Sequence, residues 1–440
     1  MKRSLTMIYR KLRSKKAIEI LKLLKNRDIN NSSSNLIYQK NKLFVVLDTA
    51  FSNISFYKSM EKHCDLKNLT YSEFCKIPVL TKDIVRDSPD ALINQSYKKI
   101  NEVHKATSGG STGEPLTFFR TNTQNIHGQA AYYYALELNK VDIFGKSIDL
   151  WGAERDMHST NSSFNFKSFL NNRLTLNTFV MSDIIISRYI DQINSTKPIF
   201  IKAYVHSIYD IAKYINKNNI KIKCKPVIHC TTGPLYPEMR DEISKAFNNT
   251  YVYNFYGSRE VSAIASEVRG SEGLFVFYDN IFLEILDEND NPVKKGEEGE
   301  IVITTLNNFY MPLIRYKIGD RAIKGDDLEF GTLKMDKVIG RTLGVIHKAD
   351  GTKIDGQFFT TLFFSKPSIK SFQLVQKDIN LLELNIVKNE PFNSDELKQV
   401  LNRIMTELPG IKVEVDFCEK INLTKTGKIM YVYSEIQTTN

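Results

Sequence analysis

The stretch "ATSGGSTGEPLTFFR", residues 106–120, sets the first question for this chain. Within it, Thr107-Ser108-Gly109-Gly110-Ser111-Thr112-Gly113 gathers four hydroxyl side chains and three glycines. Glycine leaves backbone N–H groups uncrowded, and hydroxyls add further donors, so the segment can cradle phosphate oxygens. It is not a Walker loop, because Glu114-Pro115 stands where Lys-[Ser/Thr] would follow the last glycine. No G-x-G-x-x-G dinucleotide fingerprint can be laid over it either. Taken alone, the same composition also fits an ordinary Gly/Ser turn.

Outward from this loop, the pattern is that of an α/β protein. "SIDLWG" (147–152), "IFIKAY" (199–204), "PVIHCTTG" (226–233) and "TYVYNFYG" (250–257) each read as a buried strand ending in turn residues. Amphipathic stretches such as "HSIYDIAKYINKN" and "EMRDEISKAF" lie between them. Such alternation predicts a sheet that binds its ligands at the carboxyl ends of the strands. After residue 273 the pattern becomes alternating apolar and polar, as in "GEIVITTL", which predicts antiparallel strands. A last unit begins near residue 345, with strands in "SFQLVQ", "LLELNIV" and "IKVEVDF" and a helix from Ser394. The expected fold class is therefore α/β: a large N-terminal domain with mixed β-sheets flanked by helices, plus a small α+β C-terminal domain.

Composition narrows the partners. The chain has 440 residues, 42% of them hydrophobic and 25% charged, the balance of an ordinary globular protein. No apolar run approaches the roughly 18 residues of a membrane span. Five scattered cysteines show no C-x-x-C or zinc spacing, which reads as reduced thiols of a cytoplasmic protein. The adjacent pairs His63-Cys64 and His229-Cys230 are read as structural. Net charge is +10, with much of the excess in "MKRSLTMIYRKLRSKKAIEILKLLK". This basic amphipathic segment either rests on an acidic membrane face, at the inner membrane surface, or packs Ile18, Leu21 and Leu24 on the protein body. "NRDINNSSSN", residues 26–35, reads as a polar loop after it. No basic–aromatic ladder points to nucleic acid.

Four further stretches place a charged or aromatic group beside glycine. "NFYGSREVSAIASE" (254–267) offers Tyr256, Gly257, Ser258, Arg259 and Glu260, and "PLIRYKIGDRA" (312–322) puts Asp320 in a Gly-Asp turn. "VIGRTLGV" (338–345) sets Arg341 after glycine, and "LTKTGKIMY" (423–431) puts Lys428 after Gly427. Singly, each has a structural reading as a turn cap, an ion pair or a solvated charge.

In this order the motifs resemble those of the adenylate-forming acyl/aryl ligases, from about residue 40 to the C-terminus. "TSGGSTGEPL", "YGSRE", "RYKIGD" and "GR…DG…FFTTLF" (340–364) resemble most the branch of phenylacetate–coenzyme A ligase and the CapK-like capsule-biosynthesis proteins. The resemblance implies ATP- and Mg²⁺-dependent activation of a carboxylic acid, with coenzyme A, an amine or a sugar-linked group as acceptor. It implies that residues 1–340 bind ATP and carboxylate, 341–344 act as a hinge, and 345–440 form a mobile lid. The loop Thr107–Gly113 would hold phosphates, Glu260 the magnesium ion, Tyr256 the adenine face and Asp320 the ribose hydroxyls. Arg341 would stand near ribose and phosphate, and Lys428 would bridge the carboxylate and the α-phosphate. Thr232 and Gly233, in "TTGPL", match an adenine-side loop. Trp151, Tyr204, His206 and Phe255 are candidates for the acyl pocket.

Departures are also legible. Glu114 stands where many relatives carry lysine, Arg259 where threonine is usual, and Thr342-Leu343-Gly344 where the hinge residue is commonly Asp or Lys. Three functions remain open from sequence: an acid–coenzyme A ligase, an enzyme passing its acyl group to an amine or sugar acceptor in surface-polysaccharide synthesis, and a catalytically silent interaction protein.

Overall fold

The computed structural model describes residues 9–26, 32–107, 116–151, 172–178, 181–326, 331–341, 345–350, 352–364, 366–422 and 429–436. Its longer helices are α1 (Lys15–Lys25), α2 (Ser32–Asn53), α3 (Asn122–Leu138), α4 (Asp183–Thr196), α5 (Val205–Lys217), α6 (Pro237–Ala246), α7 (Gly356–Phe364) and α8 (Ser394–Glu407). A hairpin, β1 (Val103–Thr107) with β2 (Thr117–Thr121), precedes α3. The parallel strands are β3 (Ser147–Trp151), β4 (Arg173–Asn177), β5 (Phe200–Tyr204), β6 (Val227–Thr231) and β7 (Val252–Ser258). Antiparallel strands follow: β8 (Ser262–Glu267), β9 (Leu274–Val276), β10 (Ile281–Leu286), β11 (Glu298–Thr305), β12 (Tyr316–Lys324) and β13 (Lys334–Arg341). The C-terminal part holds β14 (Val345–His347), β15 (Lys353–Asp355), β16 (Ile369–Asp378), β17 (Leu381–Lys388), β18 (Lys412–Phe417) and β19 (Val432–Ser434).

One eleven-stranded sheet runs β10-β11-β12-β13-β9-β8-β7-β6-β5-β3-β4. Its parallel half is covered on both faces, which is why its strands read as nearly continuous apolar runs. Ile148, Ile201, Ala203 and Ile228 point to one face and pack under α4, α5 and α6. Phe200, Tyr253 and Phe255, in the alternate register, meet α3 and α1 on the other. The C-terminal four-stranded sheet, β18-β17-β16-β19, shares the first of these cores through Phe372, Leu374 and Leu384. Lys213 of α5 donates to the Lys370 carbonyl at 2.8 Å, and Lys217 to Asn389 Oδ1 at 3.1 Å.

At the N-terminus, α1 buries Ala17, Leu21 and Leu24 against α3. Ser14 Oγ meets the Tyr133 hydroxyl at 3.0 Å, and Arg10 donates to the Ile143 carbonyl at 2.5 Å. The apolar stripe of this basic helix thus packs on the body, leaving Leu23 exposed on it and Leu12 exposed just before it. No helix among the described residues is long and apolar enough to cross a membrane.

Two local readings change. Helix α2 begins at Ser32, inside the segment read as a polar loop. Asp320 lies within β12 rather than in a turn. The β11–β12 pairing passes from Glu300↔Arg321 to Val302↔Lys317, so residues 318–320 bulge out of register. Gly319 supplies the bulge with φ of 84°, a conformation that glycine adopts without strain.

Candidate active site

The sheet changes from parallel to antiparallel at the β7–β8 hairpin, the kind of strand-end crevice where open α/β sheets bind ligands. The turn Arg259–Val261 joins these strands. Gly257 is required on steric grounds, since a Cβ there would lie 2.3 Å from the Ser262 carbonyl oxygen. Three successive turn carbonyls are held from outside. Arg120 Nη1 donates to Arg259 O at 3.3 Å, Gln124 Nε2 to Glu260 O at 3.0 Å, and Asn280 Nδ2 to Val261 O at 3.0 Å. Asn308 Nδ2 in turn reaches Gln124 Oε1 at 3.1 Å. The backbone that carries Glu260 is therefore fixed by β2, α3 and the β9–β10 connection, and Glu260 itself is buried.

Tyr256 and Asp320, far apart in sequence, come together. The Tyr256 hydroxyl donates to Asp320 Oδ2 at 2.6 Å. Asp320 also stands opposite Arg341 in the β12–β13 ladder, so the backbone of Arg341 lies beside it. A Cβ on Gly319 would come within 2.6 Å of Lys82 Nζ, which places this cation at the bulge. Lys82 carried no signal in the sequence.

The opening loop rises from a short ladder in which Thr107 pairs with Thr117. Ser108, Gly109, Gly110, Ser111, Thr112, Gly113 and Glu114 lie outside the described residues, as do Thr342-Leu343-Gly344 and Lys428. Arg120 follows the loop on β2. Burial lowers the proton affinity of its guanidinium, the neighbouring Arg259 lowers it further, and only Glu260 opposes them.

Thr232, after β6, has φ of 70°, and its buried Oγ1 has no hydrogen-bond partner. Gly233 faces Val205. At the ends of β3 and β5, the Trp151 and Tyr204 rings lie 4.5 Å apart, and Tyr204 is 5.8 Å from His206. Lys202, on the same face of β5 as Tyr204, sits 4.5 Å from the Trp151 ring and 5.1 Å from the Tyr132 ring. Phe255 belongs deeper, 4.7 Å from His229 and 5.8 Å from Tyr132. Trp151, Tyr204 and His206 thus form one group, with Phe255 joined to it through Tyr132, His229 and Lys202.

His229 is fully buried, hydrogen-bonded to the Tyr253 hydroxyl at 2.9 Å. Its Nε2 has no partner. Burial first, then the Lys202 cation, hold its pKa well below the ordinary histidine value, so the ring is neutral at physiological pH. The His-Cys adjacency gave no hint of this. The useful signal was strand alternation, which puts Lys202, Tyr204 and His229 on the face toward α3.

Among the described residues, no group of three or more His, Cys, Asp or Glu forms a metal cage. A magnesium ion held chiefly by polyphosphate and water needs only one or two protein carboxylates. Buried Glu260, on a fixed turn close to the loop hairpin, fits that requirement.

Residues 346–435 match the family model of the CapK C-terminal domain. Over 403 residues the chain is 26% identical to Protein CapK of Staphylococcus aureus, spanning 88% of this chain and 86% of that protein. The fold is that of the adenylate-forming ligases, and in sequence the chain is similar to CapK. A 115-residue stretch is 31% identical to phenylacetate-coenzyme A ligase of Escherichia coli (strain K12), spanning 25% of this chain and 26% of that enzyme. Among solved structures, 2-hydroxyisobutyryl-CoA ligase in the postadenylation state with R3-HIB-AMP superposes with TM-score 0.69 at 16% identity, over 90% of this chain and 89% of that one. The chain thus carries the α/β fold expected from its sequence.

Proposed function

We infer that this protein activates a carboxylic acid as its adenylate, using ATP, and passes the acyl group to an acceptor. The observation carrying this reading is the junction of Tyr256, Asp320, the Arg341 backbone and Glu260 around the β7–β8 turn of an adenylate-forming ligase fold. A carboxylate oxygen attacks the α-phosphorus, the bond to the bridging oxygen breaks, and pyrophosphate leaves with the electron pair. Tyr256 covers adenine and Asp320 accepts from the ribose hydroxyls, with Arg341 beside them. Gly257 lets the backbone approach, and Ser258 and Arg259 continue the turn. Thr232 and Gly233 line the adenine side, and Thr107 to Gly113 hold the outer phosphates. Glu260 would hold Mg²⁺, which when bound neutralises charge on the polyphosphate. Lys428, on a lid of residues 345–440 hinged at 341–344, stabilises charge as it builds on the α-phosphate and carboxylate. Trp151, Tyr204, His206 and Phe255 receive the acyl part.

Coenzyme A is the acceptor in the first form of this reading: its thiolate attacks the acyl carbon and AMP leaves. An amine or sugar acceptor is the second form. Peripheral contact with the inner membrane surface would use the basic face of α1. The test is carboxylate-dependent ATP–pyrophosphate exchange with pooled aryl, fatty, amino and sugar acids, with Lys428→Ala as control. Exchange with one pool that vanishes in the variant supports the reading. Silence with every pool, in a protein that binds ATP, would sink it. Adding coenzyme A or amines to the active acid then separates the two forms.

A further inference from the structure

Two arginines meet at the loop hairpin. Arg120 is half-buried on β2, with Arg259 close enough to depress its proton affinity. Like charges in a partly desolvated place repel, and a chain keeps them there when something anionic shares the space. At Arg120, Glu260 is the one charge that opposes burial and Arg259. Arg120 spends Nη1 on a long 3.3 Å bond to the Arg259 carbonyl, while its buried Nε has no hydrogen-bond partner. A buried guanidinium N–H is costly to leave unsatisfied, so it marks an unmet acceptor.

Its position says which acceptor. The β1–β2 register pairs Thr107 with Thr117, and His104 with Arg120, so Arg120 stands three residues beyond the pair from which the glycine-rich loop rises. That loop carries Glu114 where a lysine would supply a fixed cation.

Resting on the adenylation reading above, we propose that Arg120 is a phosphate-binding residue of this site. It takes the place of the missing loop lysine by donating Nε and a terminal N–H to oxygens of the outer phosphates of ATP, or of the pyrophosphate leaving group. A planar guanidinium suits this role, because it offers paired donors to a phosphate. Arg259, exposed on the turn, stands where a second cation reaches the same anion.

The test is isothermal titration of the full-length protein with magnesium pyrophosphate and, separately, ATP, alongside thermal denaturation with and without each ligand. Arg120→Gln is expected to weaken pyrophosphate binding about tenfold to a hundredfold, the range for a lost charge-assisted hydrogen-bond donor. Its unliganded melting temperature is expected to stay level or rise, since a repelling buried charge has been removed. Arg120→Lys is expected to fall between, and Glu114→Lys in the Arg120→Gln background to restore part of the affinity. A purely structural Arg120 would show the reverse, lower unliganded stability with pyrophosphate affinity kept within about twofold, and that would overturn the proposal. If Arg120→Gln does not fold, binding by Arg120→Lys and by Glu114→Lys alone decides. Unchanged affinity in both, or a wild-type protein that binds neither ligand, rejects the assignment. Should exchange fail with every acid while pyrophosphate binding still depends on Arg120, the adenylation reading falls and the anion site stands.

Discussion

Removing one hydroxyl, by Tyr256→Phe, tests the junction of strands β7 and β12 most directly. The hydroxyl donates to Asp320 Oδ2 at 2.6 Å, a short bond to a carboxylate. Such bonds contribute about 1.5–3 kcal/mol when shielded from water. Both residues here are only half-buried, which places the expectation at the lower end, near 1.5 kcal/mol, or roughly tenfold in affinity. The phenyl ring retains the apolar face, so stacking on adenine is kept and the variant isolates the orientation of Asp320. ATP affinity should fall about tenfold, while the exchange rate at saturating ATP stays within about twofold. The decisive control is the double-mutant cycle. In an Asp320→Ala background the hydroxyl has nothing to orient, so Tyr256→Phe should cost nothing further. The same tenfold loss in that background, or no loss in the single variant, would refute the argument that Tyr256 acts through Asp320.

The remaining expectations concern the frame. Arg315, 2% exposed, donates to both oxygens of Glu284 at 3.1 Å and to the Cys75 and Ile77 carbonyls. Glu284→Gln should cost about 3–5 kcal/mol in urea unfolding, and Glu284→Leu with Arg315→Met markedly less than the two single changes summed. Burial works against ionisation of Asp279, but hydrogen bonds from His127 and Tyr38 and the Lys42 cation outweigh it and hold its pKa well below the ordinary range. Its stabilisation is therefore full above an unfolded value near 3.9 and is lost as pH falls through the depressed folded value. Asp279→Asn should cost about 3 kcal/mol at pH 7 and flatten the loss of stability on the acid side, which acid titration of unfolding would check. Gly257→Ala drives a Cβ to 2.3 Å from a backbone oxygen. It should cost about 1–3 kcal/mol in thermal unfolding and abolish measurable ATP binding.

Much of the fold was legible because the parallel strands are buried on both faces. β3, β5, β6 and β7 lie where apolar runs ended in turn residues. β4 was not legible, since "RLTLN" is a short edge strand with polar residues at its exposed positions. Asp320 was read as a turn because Ile-Gly-Asp looks like one, and only the mismatched β11 register shows the strand bulging and continuing. Within the site, the motifs put Tyr256 and Asp320 forward separately, but their contact joins β7 to β12 past the β13, β9 and β8 that separate them in the sheet order. Arg120 and Lys202 were missed for a related reason. A single charge in a five-residue strand has no periodic signature, and its meaning comes from which neighbours the sheet delivers.

The way the early chain is held has a consequence for biosynthesis. Leu80 exchanges backbone hydrogen bonds with Arg315 and Lys317 at 2.8 and 2.9 Å. Lys42 grips Asp279, and the Gln39 side chain donates to the Ile281 carbonyl. At about 5–20 residues per second, more than 200 residues of synthesis separate these partners, a wait of roughly 10–50 s. During that wait Leu43, Val46, Leu47 and Phe51, all buried in the finished protein, have no completed core to enter. The nascent chain therefore carries the apolar face of α2 uncovered until β10 and β12 have been made. Helix α2 is made early, but its partner strands follow more than 200 residues later.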